Sequence, residues 1–124
     1  MKILMTQRSL ANFGGSELFT VEVANELAGR GHQVVIYTKI IGDVAKLVYA
    51  KGVDVVTRLS DVPWKPDVIH GQHHLPLIAA LSYFKDVQAI YFCHGIKPWA
   101  ERPPAHPRIR CYFLMCEWMR MRCI

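Results

Sequence analysis

Residues 2–38 read KILMTQRSLANFGGSELFTVEVANELAGRGHQVVIYT, and this stretch decides the fold. Residues 2–6 form a short apolar run that predicts a buried strand. Residues 16–30 follow after a loop and carry apolar side chains at helical spacing, which predicts an amphipathic helix. Residues 33–37 are apolar and β-branched again, which is typical of a second buried strand. The order is therefore strand, loop, helix, strand.

The two ends of the predicted helix also have sequence signals. Ser16 is a residue type that caps helices, so we expect the helix to begin there, after the pair Gly14-Gly15. Glu17 suits the positive end of the helix dipole. Gly31 is expected to end the helix.

The alternation of strands and helices continues along the chain. The further predicted elements are helices at 43–51 and 75–84 and strands at 53–56, 67–70, 88–93 and 110–114. Alternation of this kind is typical of a parallel sheet with helices on both faces. We therefore predict a single α/β domain over 1–124, a Rossmann-like three-layer α/β/α sandwich with strand order 3-2-1-4-5.

Composition agrees with a folded module. The chain has 124 residues, of which 52% are apolar and 20% charged, so a disordered chain is excluded. No apolar run approaches the roughly 18 residues that cross a bilayer, and the N-terminus does not resemble a signal peptide. A cytoplasmic location is therefore expected. Cys93 and Cys111 lie in strand-like runs and are expected to be buried thiols.

The net charge of +5 comes mainly from arginines near the end of the chain. A basic face favours anionic partners such as phosphates, nucleotides or an acidic membrane surface, although a solvated tail would give the same pattern. Nucleic-acid binding is not expected, because Tyr112 and Phe113, which would stack on bases, fall in a predicted core strand. Residues 117–122 have the pattern of the start of a helix. Self-association is an open alternative, because an unfinished helix and a missing partner domain would leave apolar surface exposed.

Three features are expected to meet at one edge of the sheet. Gly14 and Gly15 precede the first helix, and His70 and His94 end two later strands. In doubly wound sheets the ligand lies beyond the carboxyl ends of the strands, beside the first strand. Glycines allow backbone N–H groups to approach a ligand there, and the helix N-terminus favours negative charge.

Common cofactor and metal patterns are absent. There is no G-x-G-x-x-G, no acid after the second strand and no P-loop, so we expect no NAD or other cofactor. His70, His73 and His74 fit no common zinc spacing, so no metal is expected. His73 and His74 are expected to cap or flank the third helix and His70 to pack or hydrogen-bond. His94 is the better functional candidate, because an imidazole there can orient a hydroxyl or exchange a proton.

Four segments carry a resemblance to a known family. They are Phe13-Gly14-Gly15-Ser16-Glu17, Glu26-Leu27-Ala28-x-Arg30-Gly31-His32-x-Val34, Pro66-Asp67-Val68-Ile69-His70 and Phe92-Cys93-His94-Gly95. In this order and at this spacing they resemble the N-terminal Rossmann-like domain of family 4 glycosyltransferases, which have the GT-B architecture.

The resemblance implies a function and a set of roles. The N-terminal domain would receive the acceptor, and a C-terminal domain, absent from these 124 residues, would hold a nucleotide-sugar donor. Gly14, Gly15 and Ser16 would lie against the donor diphosphate and the acceptor. His94 would be the catalytic residue beside the transferred sugar, with His70 and Gly95 also at the substrate. Transfer would retain configuration and need no metal.

Two further expectations follow. Trp99, in a proline-rich loop, would be a sugar-stacking platform or a simple loop anchor. The acceptor would be a glycan, a lipid or a small molecule, and the chain alone is expected to be inactive. The alternative is a stand-alone Rossmann-like module that binds a nucleotide or another anion without catalysis.

Overall fold

The structure is a computed structural model that describes residues 1–49, 51–95, 102–115 and 117. The strands are β1 (Lys2–Gln7), β2 (Gln33–Thr38), β3 (Asp54–Val56), β4 (Val68–Gly71), β5 (Ala89–Cys93) and β6 (Ile109–Leu114). The α-helices are α1 (Gly15–Gly29), α2 (Lys46–Tyr49) and α3 (His74–Tyr83), and short 3-10 turns lie at Asp43–Ala45 and Leu59–Asp61.

All six strands form one parallel sheet, in the order β3-β2-β1-β4-β5-β6. The predicted order 3-2-1-4-5 is therefore confirmed, and β6 is added at the edge. β1 lies between β2 and β4, which is the point where the strand order reverses. The carboxyl ends of β1, β4 and β5 consequently lie side by side, which is where ligands of such sheets bind.

Alternate side chains of the sheet fill two separate cores. Ile3 and Met5 face the side covered by α1 and α2, whereas Leu4 faces the side covered by α3. Both clusters consist of residues with little or no exposed surface, as the period of two along a buried strand requires. The predicted three-layer α/β/α sandwich is confirmed.

α1 begins one residue earlier than predicted, and its N-cap lies two residues earlier. The N-cap is Gly14, not Ser16, and its extended backbone leads into Gly15 as the first helical residue. The reason is Glu17, whose Oε2 accepts a hydrogen bond from the Gly14 N–H at 2.8 Å. The end of α1 is as predicted, because Gly31 has φ 93°, a conformation that glycine adopts without strain.

The prediction for the last strand is wrong in one respect. β6 is the edge strand, and only Ile109 at its start is buried. Tyr112 and Phe113 are exposed, and so is Cys111, whereas Cys93 in the neighbouring β5 is buried as predicted. An apolar run at a sheet edge cannot be distinguished from a central strand by sequence alone, because both have the same composition.

Arg108 is not part of a free basic face. Its guanidinium donates hydrogen bonds to the carbonyls of Phe84 (2.8 Å) and Val87 (2.7 Å) and also to the carbonyl of Leu81. The carbonyls of Leu81 and Phe84 belong to the last turn and the C-cap of α3. Carbonyl groups at the end of a helix have no N–H partner within the helix. Arg108 therefore closes the C-terminal end of α3. Within the described residues, no helix has both the length and the apolar character to cross a membrane.

Candidate functional site at the carboxyl edge of the sheet

The predicted site residues converge on the carboxyl edge of the sheet. Gly14, Gly15 and Ser16 lie at the start of α1, after β1, and His94 and Gly95 follow β5 directly. The Gly95 carbonyl accepts a hydrogen bond from the Cys93 thiol at 3.2 Å, which holds the turn after β5. Trp99 lies outside the described residues.

The first helix packs directly against the His94 imidazole. The ring of Phe19, in α1, meets the His94 ring edge to face at 4.9 Å between centroids. Phe92 completes the contact, at 4.3 Å from Phe19 and 5.3 Å from His94. The start of α1 and His94 are therefore neighbours across this edge.

Burial keeps His94 neutral. Its pKa lies below the ordinary value, mainly because the partly buried site disfavours the charged ring, while the nearby Glu17 carboxylate acts in the opposite direction. A neutral imidazole carries one N–H and one lone pair, so it can donate to one group and accept from another.

A buried polar network lies behind His94. Its members have no exposed surface and include Thr6, Gln7, Thr20 and Gln72. Gln72 Oε1 lies 2.9 Å from His94 Nε2 and 2.7 Å from the Thr20 hydroxyl, which also contacts Gln7 Oε1 at 2.7 Å. Fully buried polar side chains that are hydrogen-bonded to one another specify a fixed geometry, here between the ends of β1 and β4 and the inner face of α1.

His70 lies deeper than predicted from the sequence. It sits within β4, with its ring 6.5 Å from that of Phe19, and its Nδ1 is buried without a partner. Burial lowers its pKa to about 4, the polar backbone beside the ring partly offsets this effect, and the nearby His94 increases it. His70 therefore supports the wall beneath Phe19, and its contact with substrate stays a prediction.

An open cavity of about 350 Å³ lies beside the start of α1. The described residues that line it are Arg8, Ser9, Asn12, Ser16, Glu17, Ile40 and His73. Of the predicted site residues only Ser16 is in this lining, and His94 lies next to it, with its ring stacked at 6.1 Å on that of His73. The lining is mostly polar, with one cation and one carboxylate.

His73 was expected to cap or flank the third helix, and its position at the N-cap of α3 confirms this. It also lines the cavity, with φ 63° and ψ 148°, a backbone conformation that only glycine adopts freely. Its Nδ1 accepts a hydrogen bond from the Arg8 backbone N–H at 3.2 Å. Burial, His94 and Arg8 together lower its pKa to about 4.

The two glycines before α1 have different surroundings. A Cβ on Gly14 would collide with the Glu17 carboxylate that caps the helix, whereas a Cβ on Gly15 would meet no atom within 4 Å. Gly15 is also exposed. The backbone of Gly15 is therefore open to a ligand, while Gly14 is needed for the cap.

Sequence reasoning missed several residues of this site. Arg8 directly follows β1, and Gln72 directly follows β4. Ligands of such sheets bind at the carboxyl ends of the strands, so this position was the signal that could have identified both residues. Thr20 and the strained backbone of His73 carried no such signal. In the described part of the chain, no cluster of three or more His, Cys, Asp or Glu side chains could hold a metal ion.

Comparison with known proteins supports the fold. No family model and no curated protein matches the chain. Among solved structures, the fold is similar to that of Anabaena HepE, crystallised in complex with UDP and glucose, with a TM-score of 0.56 and 21% sequence identity. The match covers 77% of this chain and 30% of HepE, so this chain spans less than a third of that protein's length. The likeness is one of fold.

Proposed function

We propose that this chain is the N-terminal, acceptor-side domain of a retaining glycosyltransferase of the GT-B architecture, similar to family 4. The reaction moves a sugar from a nucleotide-sugar to a glycan, a lipid or a small acceptor. A second domain outside these 124 residues holds the nucleotide, so the isolated chain binds part of the substrates and does not turn over.

One observation carries the proposal. Two of the four segments that resemble the family, Phe13 to Glu17 and Phe92 to Gly95, are 75 or more residues apart in the chain but are brought near each other, because Phe19, two residues after the first segment, packs on Phe92 and His94. If the resemblance were accidental, these segments would have no reason to lie together. Their convergence at the carboxyl ends of β1 and β5 therefore supports the proposal.

The proposed roles follow from the surroundings of each group. The exposed Gly15 backbone, at the positive end of α1, faces the donor diphosphate and the acceptor. His94 lies beside the transferred sugar and hydrogen-bonds a hydroxyl group. The polar cavity of Arg8, Asn12, Ser16 and His73 accommodates the acceptor, because hydroxyl-rich molecules need many donors and acceptors around them.

The similarity to HepE supports the choice of probe. HepE was crystallised with UDP and glucose, and both chains share the Rossmann-like fold. UDP-glucose and its parts are therefore reasonable ligands to test first.

A comparison of ligand parts tests the proposal on the chain as it exists. The backbone amides of Gly14, Gly15 and Gly95 are followed by NMR while UDP-glucose, glucose 1-phosphate, UDP or uridine is added. An acceptor-side domain recognises the sugar phosphate and not the base, so UDP-glucose and glucose 1-phosphate should shift the same amides with similar millimolar affinity. Uridine should have no effect.

The same titrations test the alternative of a nucleotide-binding module. Arg8 in the cavity lining and the open Gly15 backbone would also suit the diphosphate of a free nucleotide. Such a module would bind UDP tightly and would be indifferent to His94→Ala. That result would replace the glycosyltransferase proposal. His32→Ala is the matched control, because His32 precedes β2 at the opposite edge of the sheet.

A further inference from the structure

We infer that Gln72 is a positioning residue that fixes the ring tautomer of His94, so that His94 presents Nδ1 as a hydrogen-bond acceptor to a ligand hydroxyl group. The part of the inference that concerns the ligand rests on the proposed function. The part that concerns the tautomer rests on the geometry alone.

The orientation of the Gln72 amide is determined by its contacts. Its Nε2 donates to the backbone carbonyl of Thr6 at 3.3 Å, and a carbonyl can only accept, so the nitrogen must face Thr6. The Gln72 backbone is held at the same place, since its N–H donates to the Thr6 hydroxyl at 2.9 Å and its carbonyl accepts from that hydroxyl at 3.0 Å. Oε1 therefore faces Thr20 and His94.

This orientation fixes the proton on His94. Gln72 Oε1 is an acceptor without a proton, so the His94 Nε2, 2.9 Å away, must donate to it. A neutral imidazole then has its lone pair on Nδ1. The Thr20 hydroxyl lies 2.7 Å from both Gln72 Oε1 and Gln7 Oε1 and can donate its single proton to only one of them, so the orientation of the Gln72 amide depends on its contact with Thr6.

The Nδ1 of His94 is accessible. None of the hydrogen bonds among the described residues involves this atom. His94 is partly exposed, and in the described part of the chain its Nδ1 is not among the buried side-chain atoms that lack a partner, so we take this atom as the one that a ligand can reach. A ligand that reaches this edge meets a lone pair, not an N–H.

The lone pair selects the class of ligand group. It accepts from a sugar hydroxyl and offers nothing to a phosphate or carboxylate oxygen. The groups around His94 do not change this preference, because the nearby Glu17 carboxylate can only accept hydrogen bonds and the neighbouring His70 and His73 are largely buried. The cation of the cavity, Arg8, lies on the His73 side. The structure therefore assigns His94 to a neutral part of the sugar.

Nitrogen-15 NMR of the histidine rings tests the tautomer in the unmodified chain. We expect His94 to show an unprotonated Nδ1 and a protonated Nε2, and its Nε2–H proton to be visible because Gln72 shields it from exchange with water. Gln72→Leu should remove that proton signal, and Gln72→Glu, which keeps an acceptor oxygen, should restore it. His32 is the internal control. A protonated Nδ1, or a signal that persists in Gln72→Leu, would overturn the inference.

Variants of the partly exposed His94 test the ligand part without changing the fully buried network behind it. Glutamine can donate to Gln72 and still offer an oxygen to the ligand, whereas lysine can only donate. Binding of glucose 1-phosphate should weaken no more than about threefold in His94→Gln and at least about tenfold in His94→Lys. The reverse order would show that His94 donates to the ligand. If the tautomer is as expected but glucose 1-phosphate binds nowhere, the proposed function fails and the role of Gln72 stands.

Discussion

Replacement of Gly15 by alanine should make the protein more stable and bind its ligand more weakly. Gly15 is an exposed helical residue, and an added Cβ meets no atom within 4 Å. Alanine loses less conformational entropy than glycine when a helix forms, so the free energy of unfolding should rise by about 0.5–1 kcal/mol. For a domain of this size that is an increase in Tm of about 2–5 °C. The same methyl group, however, occupies the space into which a ligand must come to reach the backbone.

The matched control is Gly29→Ala. Gly29 lies at the other end of α1, is also exposed, and also has no atom within 4 Å of an added Cβ. Both variants should raise Tm in a thermal melt followed by circular dichroism. Only Gly15→Ala should weaken binding of glucose 1-phosphate, by at least about tenfold, which corresponds to about 1.4 kcal/mol. Unchanged binding in Gly15→Ala would refute the proposal that the ligand lies against this turn.

Three further predictions concern stability. His73→Gly should be more stable than His73→Ala by about 1–2 kcal/mol in urea unfolding, because φ 63° strains every residue except glycine. Alanine is normally the more stabilising of the two residues, so a more stable His73→Ala would show that this backbone is not strained. The pKa of the buried His70 is lowered to about 4, so below pH 6.5 the unfolded state binds a proton that the folded state does not. The free energy of unfolding should therefore fall by up to about 3 kcal/mol between pH 6.5 and pH 4. His70→Leu should flatten this dependence, and an equally steep profile in that variant would contradict the prediction. Arg108→Lys should lower the free energy of unfolding by about 2–4 kcal/mol, nearly as much as Arg108→Met. The reason is that one ammonium group cannot replace the planar guanidinium, which donates to three carbonyls at and just after the end of α3. Full stability of Arg108→Lys in urea unfolding would refute this prediction.

Local patterns were enough to predict the order of the strands. β1, α1 and β2 are consecutive and strongly patterned, and Gly31 ends α1, so their positions in the sheet follow from the rules for parallel sheets. The convergence of the α1 start with His94 then follows from the topology, without knowledge of any side-chain contact.

Properties that depend on distant partners could not be predicted. Ser16 has the residue type of a cap, but the Glu17 carboxylate moves the cap to Gly14. Cys111 has an apolar context, but its strand lies at the edge of the sheet. Gln72 is an ordinary polar residue in the sequence, and its importance depends on Thr6, Thr20 and His94 being packed around it.

The most direct test of the account is one titration with two reporters. Glucose 1-phosphate is added to the labelled chain, and the Gly15 amide and the His94 ring are followed together by NMR. If both groups border one ligand site, their shifts should give the same dissociation constant, and Gly15→Ala should weaken both equally. A response at only one of them, or two different dissociation constants, would contradict the account.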